Sequence, residues 1–212
     1  MRISELAQHS GVSVATIKYY LREGLLPEGQ RTSATQAQYD VGHEARLRLI
    51  RALIGTAGLS IAEVRRVLAA IDEPPESLHN LLGVAADVVS GPVGRRPDHE
   101  RVHELMRQWD WPVAEMDCPS HEALAAALDA LDEADFVLPD GALEVYRDHM
   151  EQIATFELST VPTDSPTAAV RYVVLGTVLP EPLLLALRRL AQQAASARRF
   201  GGAGGGLERL PG

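Results

Sequence analysis

The stretch Val12 to Gly29, VSVATIKYYLREGLLPEG, sets two adjacent tyrosines beside Lys18, the single lysine of a chain whose other basic side chains are all arginine. Ser13 is a good N-terminal cap and Gly24 a good C-terminal stop, so the spacing predicts a helix of about three turns between them. Wound at about 100° per residue, Val14, Ile17 and Leu21 share one narrow face, which must pack against Leu6 and its neighbours. Ala15, Thr16, Tyr19 and Arg22 point the other way, with Lys18 and Tyr20 on the flanks. The outer edge is therefore short, cationic and aromatic.

Working outward, helical signals follow one another quickly. Ser4 is expected to cap a turn running to Ser10, stopped by Gly11, so the first two elements read as helix, tight turn, helix. After a polar stretch from Pro27 to Asp40, apolar residues at Leu47, Ile50, Ile54 and Ala57 mark a third helix ending at Gly58. A fourth opens with Ser60 and Glu63 in capping-box spacing, with Leu59 and Val64 placed for a hydrophobic staple. Its stripe is Val64, Val67, Leu68 and Ile71, and Pro74-Pro75 closes it. A domain boundary is expected there.

A slender cationic helix suits the major groove of duplex DNA. Small residues near its start, Val14 and Ala15, permit close approach; Lys18 reaches guanine acceptors, and tyrosine hydroxyls bond phosphate or base edges. The alternative is that Tyr19 and Tyr20 cover a small core and Lys18 is a solvated charge. The formal net charge of −9 hides a division: residues 1–71 hold nine Lys and Arg against six Asp and Glu, the remainder eleven against twenty-three. A locally basic module can hold a phosphate backbone while an acidic body faces away.

The segments ISELAQHSGVSVATIKYYLREGLLP, QYD, RLRLIRAL and GLSIAEVRRVL together resemble the DNA-binding domain of MerR-type transcriptional regulators, over residues 1–71. The resemblance implies a winged helix-turn-helix with its wing at roughly Arg31 to Tyr39. It sets Lys18-Tyr19-Tyr20 where that family usually has Arg-Tyr-Tyr; lysine lacks arginine's bidentate fork, which weakens base reading at this position. By the same carry-over Ser13, Thr16, Arg22, Arg31 and Tyr39 contact the DNA backbone, positioning the module without specifying sequence. It further implies a homodimer on a palindromic promoter operator that untwists an over-long spacer for RNA polymerase. A helix of this length discriminates only a few base pairs, which also argues for a dimer. A nucleoid-type architectural binder is the alternative within DNA binding.

Beyond residue 74 the pattern stays helical, giving an all-α fold apart from the small β wing. One face carries Val102, Leu105, Met106 and Trp109, the next Leu124, Leu128 and Leu131, and another Tyr146, Met150 and Ile153. Ser165 and Pro166 open a further helix, and Leu183, Leu187, Leu190, Ala194 and Ala197 stripe the last. The chain breaks at DEPPES, where many MerR-type regulators carry a long heptad helix, so its dimer must be built otherwise. The last two helices are similar to the C-terminal pair of TetR-type regulators, which implies a four-helix dimer interface. Residues 75–200 are thus expected to form an effector and dimerisation domain, and the glycine-rich residues 201–212 a disordered tail.

Met106, Trp109, Trp111, Met116, Phe136, Tyr146, Met150 and Phe156 supply most of the body's larger apolar side chains, as plain core or as the lining of a pocket for a small organic effector. The segment HERVH, His99 to His103, matches the H-E-x-x-H pattern in which two histidines bind zinc and Glu100 activates water. No third ligand is evident downstream, so a solvated helix face is expected, with a metal site or zinc hydrolase as the rival reading. Single Cys118 excludes an internal disulfide. The N-terminus lacks a signal-peptide pattern and no uninterrupted apolar run is long enough to span a bilayer. The expectation is a cytoplasmic, non-enzymatic regulator without cofactor or membrane contact.

Overall fold

The computed structural model describes residues 1–33, 36–90, 99–111 and 118–201. Met116 and the expected tail lie outside these. The elements in order are α1 (Ile3–Ser10), α2 (Val14–Arg22), β1 (Gln30–Arg31), β2 (Ala37–Gln38), α3 (Val41–Gly55), α4 (Ile61–Asp72), α5 (Leu78–Ser90), α6 (His99–Gln108), α7 (Pro119–Glu133), α8 (Ala142–Ser159), α9 (Pro166–Val178) and α10 (Pro180–Phe200). The fold is all-α with a two-stranded wing.

The caps explain the boundaries. The Arg2 backbone N–H donates to Glu5 Oε2 at 2.6 Å, so α1 opens at Ile3 and the expected cap, Ser4, lies inside it. Gly11, at φ 65°, turns the chain into α2. Ser60 and Glu63 exchange both capping-box hydrogen bonds at the start of α4. Asp40 accepts from the His43 backbone N–H at 3.1 Å to start α3.

Leu6, Ile17, Leu47, Ile50, Leu53 and Val64 are fully buried and join α1 to α4. Each such side chain contributes about 1.5–3 kcal/mol. This core does not stop at Pro74: Leu81 and Val88 of α5, and Val173, Val174 and Val178 of α9, belong to it. α5, a helix not among those expected, is central and packs on α4, α7 and α9. A smaller core forms between α6 and α7 around Val102, Ala125 and Leu128.

α8 and α10 hold no buried residue. On α10, Leu183, Leu187 and Leu190 are 58%, 51% and 60% exposed. The continuous stretch Pro166–Phe200 is long and apolar enough to cross a membrane by length and composition alone. Core helices of folded domains meet the same measure, and α9 lays its apolar face on α5.

Candidate nucleic-acid interface

The outer edge of α2 is built from its cap upward. Ser13 Oγ accepts from the Thr16 backbone N–H at 3.1 Å and lies 2.8 Å from Thr16 Oγ1, fixing the first turn. Ile17 is fully buried, and Val14 and Leu21 half-buried, so the expected inner face is the observed one. Ala15, Lys18 and Arg22 are exposed, and Thr16 and Tyr19 half-buried. Arg22 stacks its guanidinium over the Tyr19 ring, 5.3 Å from the centroid. The tyrosine pair divides its labour: Tyr19 supports this cationic edge while Tyr20, 8% exposed, turns into the core.

One expected placement changes, that of Tyr20, and a second expected contact residue, Tyr39, has a buried ring. Tyr20 was assigned to the flank, but its ring is core, and desolvation, with Tyr19 adding, pushes its phenol pKa up against a smaller opposing effect of Arg51. Tyr39 is equally buried, its ring edge-on to His43 at 5.2 Å. Neither ring belongs to the outer face.

The wing stands beside α2. Gln30 pairs with Gln38 and Arg31 with Ala37 in antiparallel register. At its root the Tyr39 N–H donates to the Met1 carbonyl oxygen at 2.9 Å, and the Met1 ammonium donates back to Tyr39 O at 2.7 Å. Leu21, Glu28, Gly29, Arg31, Ala37 and Tyr39 line the recess between helix and wing. The Arg31 side chain is 80% exposed, with Glu28 3.6 Å away.

Several arginines serve the module itself. Arg51 Nη1 donates to the Ser10 carbonyl oxygen at 2.8 Å, closing the turn between α1 and α2. Arg65 donates to the carbonyl and carboxylate of Glu23, and Arg48 pairs with Glu44 at 2.6 Å. These hold the module together. Lys18, in contrast, makes no ion pair with any described residue, and Arg22 and Arg31 extend into solvent. Sequence reasoning missed Arg51; its spacing from Gly11 carries no local signal.

In the body, the proposed pocket residues do not converge. Met106 packs on the α6–α7 core, Trp109 and Trp111 stack edge-to-face at 5.1 Å, and Phe136, Tyr146, Met150 and Phe156 are exposed. None of them lines the apolar cavity formed by other described residues, although Glu157 and Leu158, next to Phe156 on α8, do. That cavity, about 290 Å³, lies among α5, α8, α9 and α10. His99 and His103 are half-buried rather than solvated, with rings 6.3 Å apart, and His103 meets buried His121 at 5.7 Å. Among the described residues no group of three or more His, Cys, Asp or Glu is placed to hold a metal ion.

Comparison with known proteins agrees with this geometry. Residues 1–71 match the model of the MerR HTH family regulatory proteins. Nodulation protein NolA of Bradyrhizobium sp. (strain NC92) is 32% identical over 135 residues, 63% of this chain and 52% of that one. The mercuric resistance operon regulatory protein of Bacillus cereus is 37% identical over 71 residues, 34% of this chain and 53% of that one. The chain thus spans about half the length of the curated relatives it matches. The crystal structure of SCO5550 from Streptomyces coelicolor A3(2), titled as a transcriptional regulator, superposes with a TM-score of 0.63 at 34% identity, covering 95% of this chain and 98% of that one. The chain belongs to the MerR family of DNA-binding, helix-turn-helix transcriptional regulators.

Proposed function

We propose that the chain acts as a homodimer on a two-fold promoter operator, each copy laying α2 in the major groove with its wing on the adjoining backbone. The observation that carries this reading is the sorting of positive charge. Arg46, Arg48, Arg51 and Arg65 are engaged within the module, whereas Lys18, Arg22 and Arg31 lie outward on one helix edge and its neighbouring wing. Lys18, without an ion pair to any described residue, and Arg22 and Arg31, whose contacts to Glu23 and Glu28 are long at 3.9 and 3.6 Å, thus offer a DNA backbone a strip of weakly engaged charge.

Dimerisation is supported by α8 and α10, which hold no buried residue and leave Met150, Phe156, Leu183, Leu187 and Leu190 exposed among the described residues. At a promoter, such a dimer would act on spacer geometry and so on RNA polymerase. A small organic effector is supported by the cavity beneath these two helices. The Bacillus cereus relative is named for mercury resistance, but that match covers only 34% of this chain. The reading assigns the chain no catalytic step.

The test is fluorescence anisotropy and footprinting of the full chain on fragments from its own upstream region and on scrambled duplex, at several salt concentrations. A protected two-fold site, bound at least a hundred-fold above scrambled DNA, is the expected result. Equal affinity for both, falling steeply with salt, would replace this reading with architectural binding.

A further inference from the structure

The cavity among α5, α8, α9 and α10 has walls of one chemical kind and a rim of another. Leu82, Leu158, Val161, Val173 and Leu184 supply aliphatic surface, with Gly176 leaving room beside the Tyr172 ring. Among the described residues the only carboxylates in the lining are Glu157 and Glu181, and no lysine, arginine or histidine joins them. We infer that this cavity takes an organic cation with an apolar body, its ammonium held between Glu157 and Glu181 and beside the Tyr172 ring. The inference rests on the effector reading above and names the chemistry of that effector.

Three features argue for it. Glu157 lies near the C-terminal end of α8, where negative charge opposes the helix dipole, and it makes no ion pair with any described residue. A carboxylate placed against both an apolar wall and an unfavourable dipole gains from a cation that arrives with the ligand. Glu181 is likewise without an ion-pair partner among the described residues, and desolvation raises its carboxyl pKa although the residue remains exposed at the mouth. Finally, Tyr172, a partly exposed lining residue, is tethered by a hydrogen bond between its hydroxyl and Thr160 Oγ1, which keeps an aromatic ring beside the cavity. An aromatic face attracts ammonium groups and gives nothing comparable to anions. The volume, about 290 Å³, is at the lower end for a small-molecule site and suits a single-ring amine.

The experiment is calorimetric titration of the full chain with 4-phenylbutylamine and with 4-phenylbutan-1-ol, which share an apolar body and differ in charge. The amine is expected to bind at least ten-fold more tightly, and Glu157→Gln/Glu181→Gln, checked for intact helicity by circular dichroism, to bring the two compounds level. Equal binding in the wild type, absence of amine binding up to millimolar concentration, or a charge preference that survives in the double variant overturns the inference. Operator affinity is measured separately with each compound. Amine binding that leaves operator affinity unchanged upholds the cation site and sinks effector control, whereas a neutral compound that alone shifts operator affinity upholds effector control and sinks the cation site.

Discussion

Arg46 meets both carboxylate oxygens of Asp72, Nη1 to Oδ1 at 2.6 Å and Nη2 to Oδ2 at 2.7 Å, while its Nε donates to the Leu25 carbonyl oxygen at 3.0 Å. One side chain thereby fastens α3 to the last residue of α4 and to the turn that follows α2. The position of α2 relative to α3 and α4 is tied by this three-way contact.

Arg46→Ala is expected to cost about 2 kcal/mol, since it leaves the Leu25 carbonyl without its donor and removes a bidentate pair. Asp72→Asn is expected to cost less, about 0.5–1 kcal/mol, because that carboxylate is half exposed and screened. Urea-unfolding midpoints measure both. A larger loss for Asp72→Asn than for Arg46→Ala would show that the carbonyl contact is not the stronger tie.

Lys18→Ala and Tyr19→Ala are each expected to weaken operator binding by about 1–3 kcal/mol while changing affinity for random duplex much less. Arg31→Ala, on the wing, is expected to weaken both DNAs equally and to lower the salt slope by about one. Anisotropy on the two duplexes separates these outcomes. Uniform losses for the helix pair would show that they hold backbone and read no base.

Gly29 is buried at the root of the wing, and a methyl group there would stand 2.7 Å from the Gln38 carbonyl oxygen and 2.9 Å from the Tyr39 ring. The carbonyl belongs to Gln38, which pairs with Gln30 across the wing, and the ring is buried, so neither yields easily. Gly29→Ala is expected to destabilise by about 1–3 kcal/mol and to raise amide exchange in the wing before other segments. Unchanged exchange at Arg31 and Ala37 would contradict this.

The capping box of α4 makes one contribution to stability pH-dependent. Hydrogen bonds from Ser60, its backbone N–H foremost, hold the Glu63 carboxyl below its ordinary pKa. The contribution is therefore complete above the ordinary carboxylate range and is lost as pH falls through the lowered native value. Glu63→Gln keeps an acceptor but loses the charge, so wild type and variant are expected to differ by about 0.5–1 kcal/mol at pH 7 and to converge in acid. A gap that stays constant from pH 7 to pH 3 would assign the effect to something other than ionisation.

The first four helices were legible from their apolar stripes; Ser13, Ser60 and the Ile17 face were readable locally, whereas the start of α1 was misplaced at Ser4 because Glu5, reaching back to the Arg2 N–H, does the capping. Tyr20 was not, since a flank position on a wheel is decided by what packs beside it. α5 was readable and went unread: LHNLLGVAADVVS sets Leu81, Ala85 and Val88 on one stripe, buried against α4, α7 and α9, but no cap signal like those of Ser13 or Ser60 marks its start. The cavity was illegible for a third reason: Leu82, Glu157, Tyr172 and Glu181 lie on four different helices, and large side chains clustered in sequence, such as Trp109 and Trp111, met each other instead.

Leu183, Leu187 and Leu190 repeat at helical spacing along α10 and remain more than half exposed, so this face is the one whose burial a second copy would reward. Replacing Leu187 and Leu190 by glutamate sets charge in the middle of that stripe without touching any buried residue of the chain. The double variant is expected to keep its circular dichroism spectrum, to sediment at half the mass of the wild type, and to lose operator affinity far more than affinity for a single half-site. Such a split follows because a dimer adds the two half-site energies and a monomer does not. An unchanged mass in sedimentation equilibrium would move the interface off α10, leaving α8 as the remaining uncovered face.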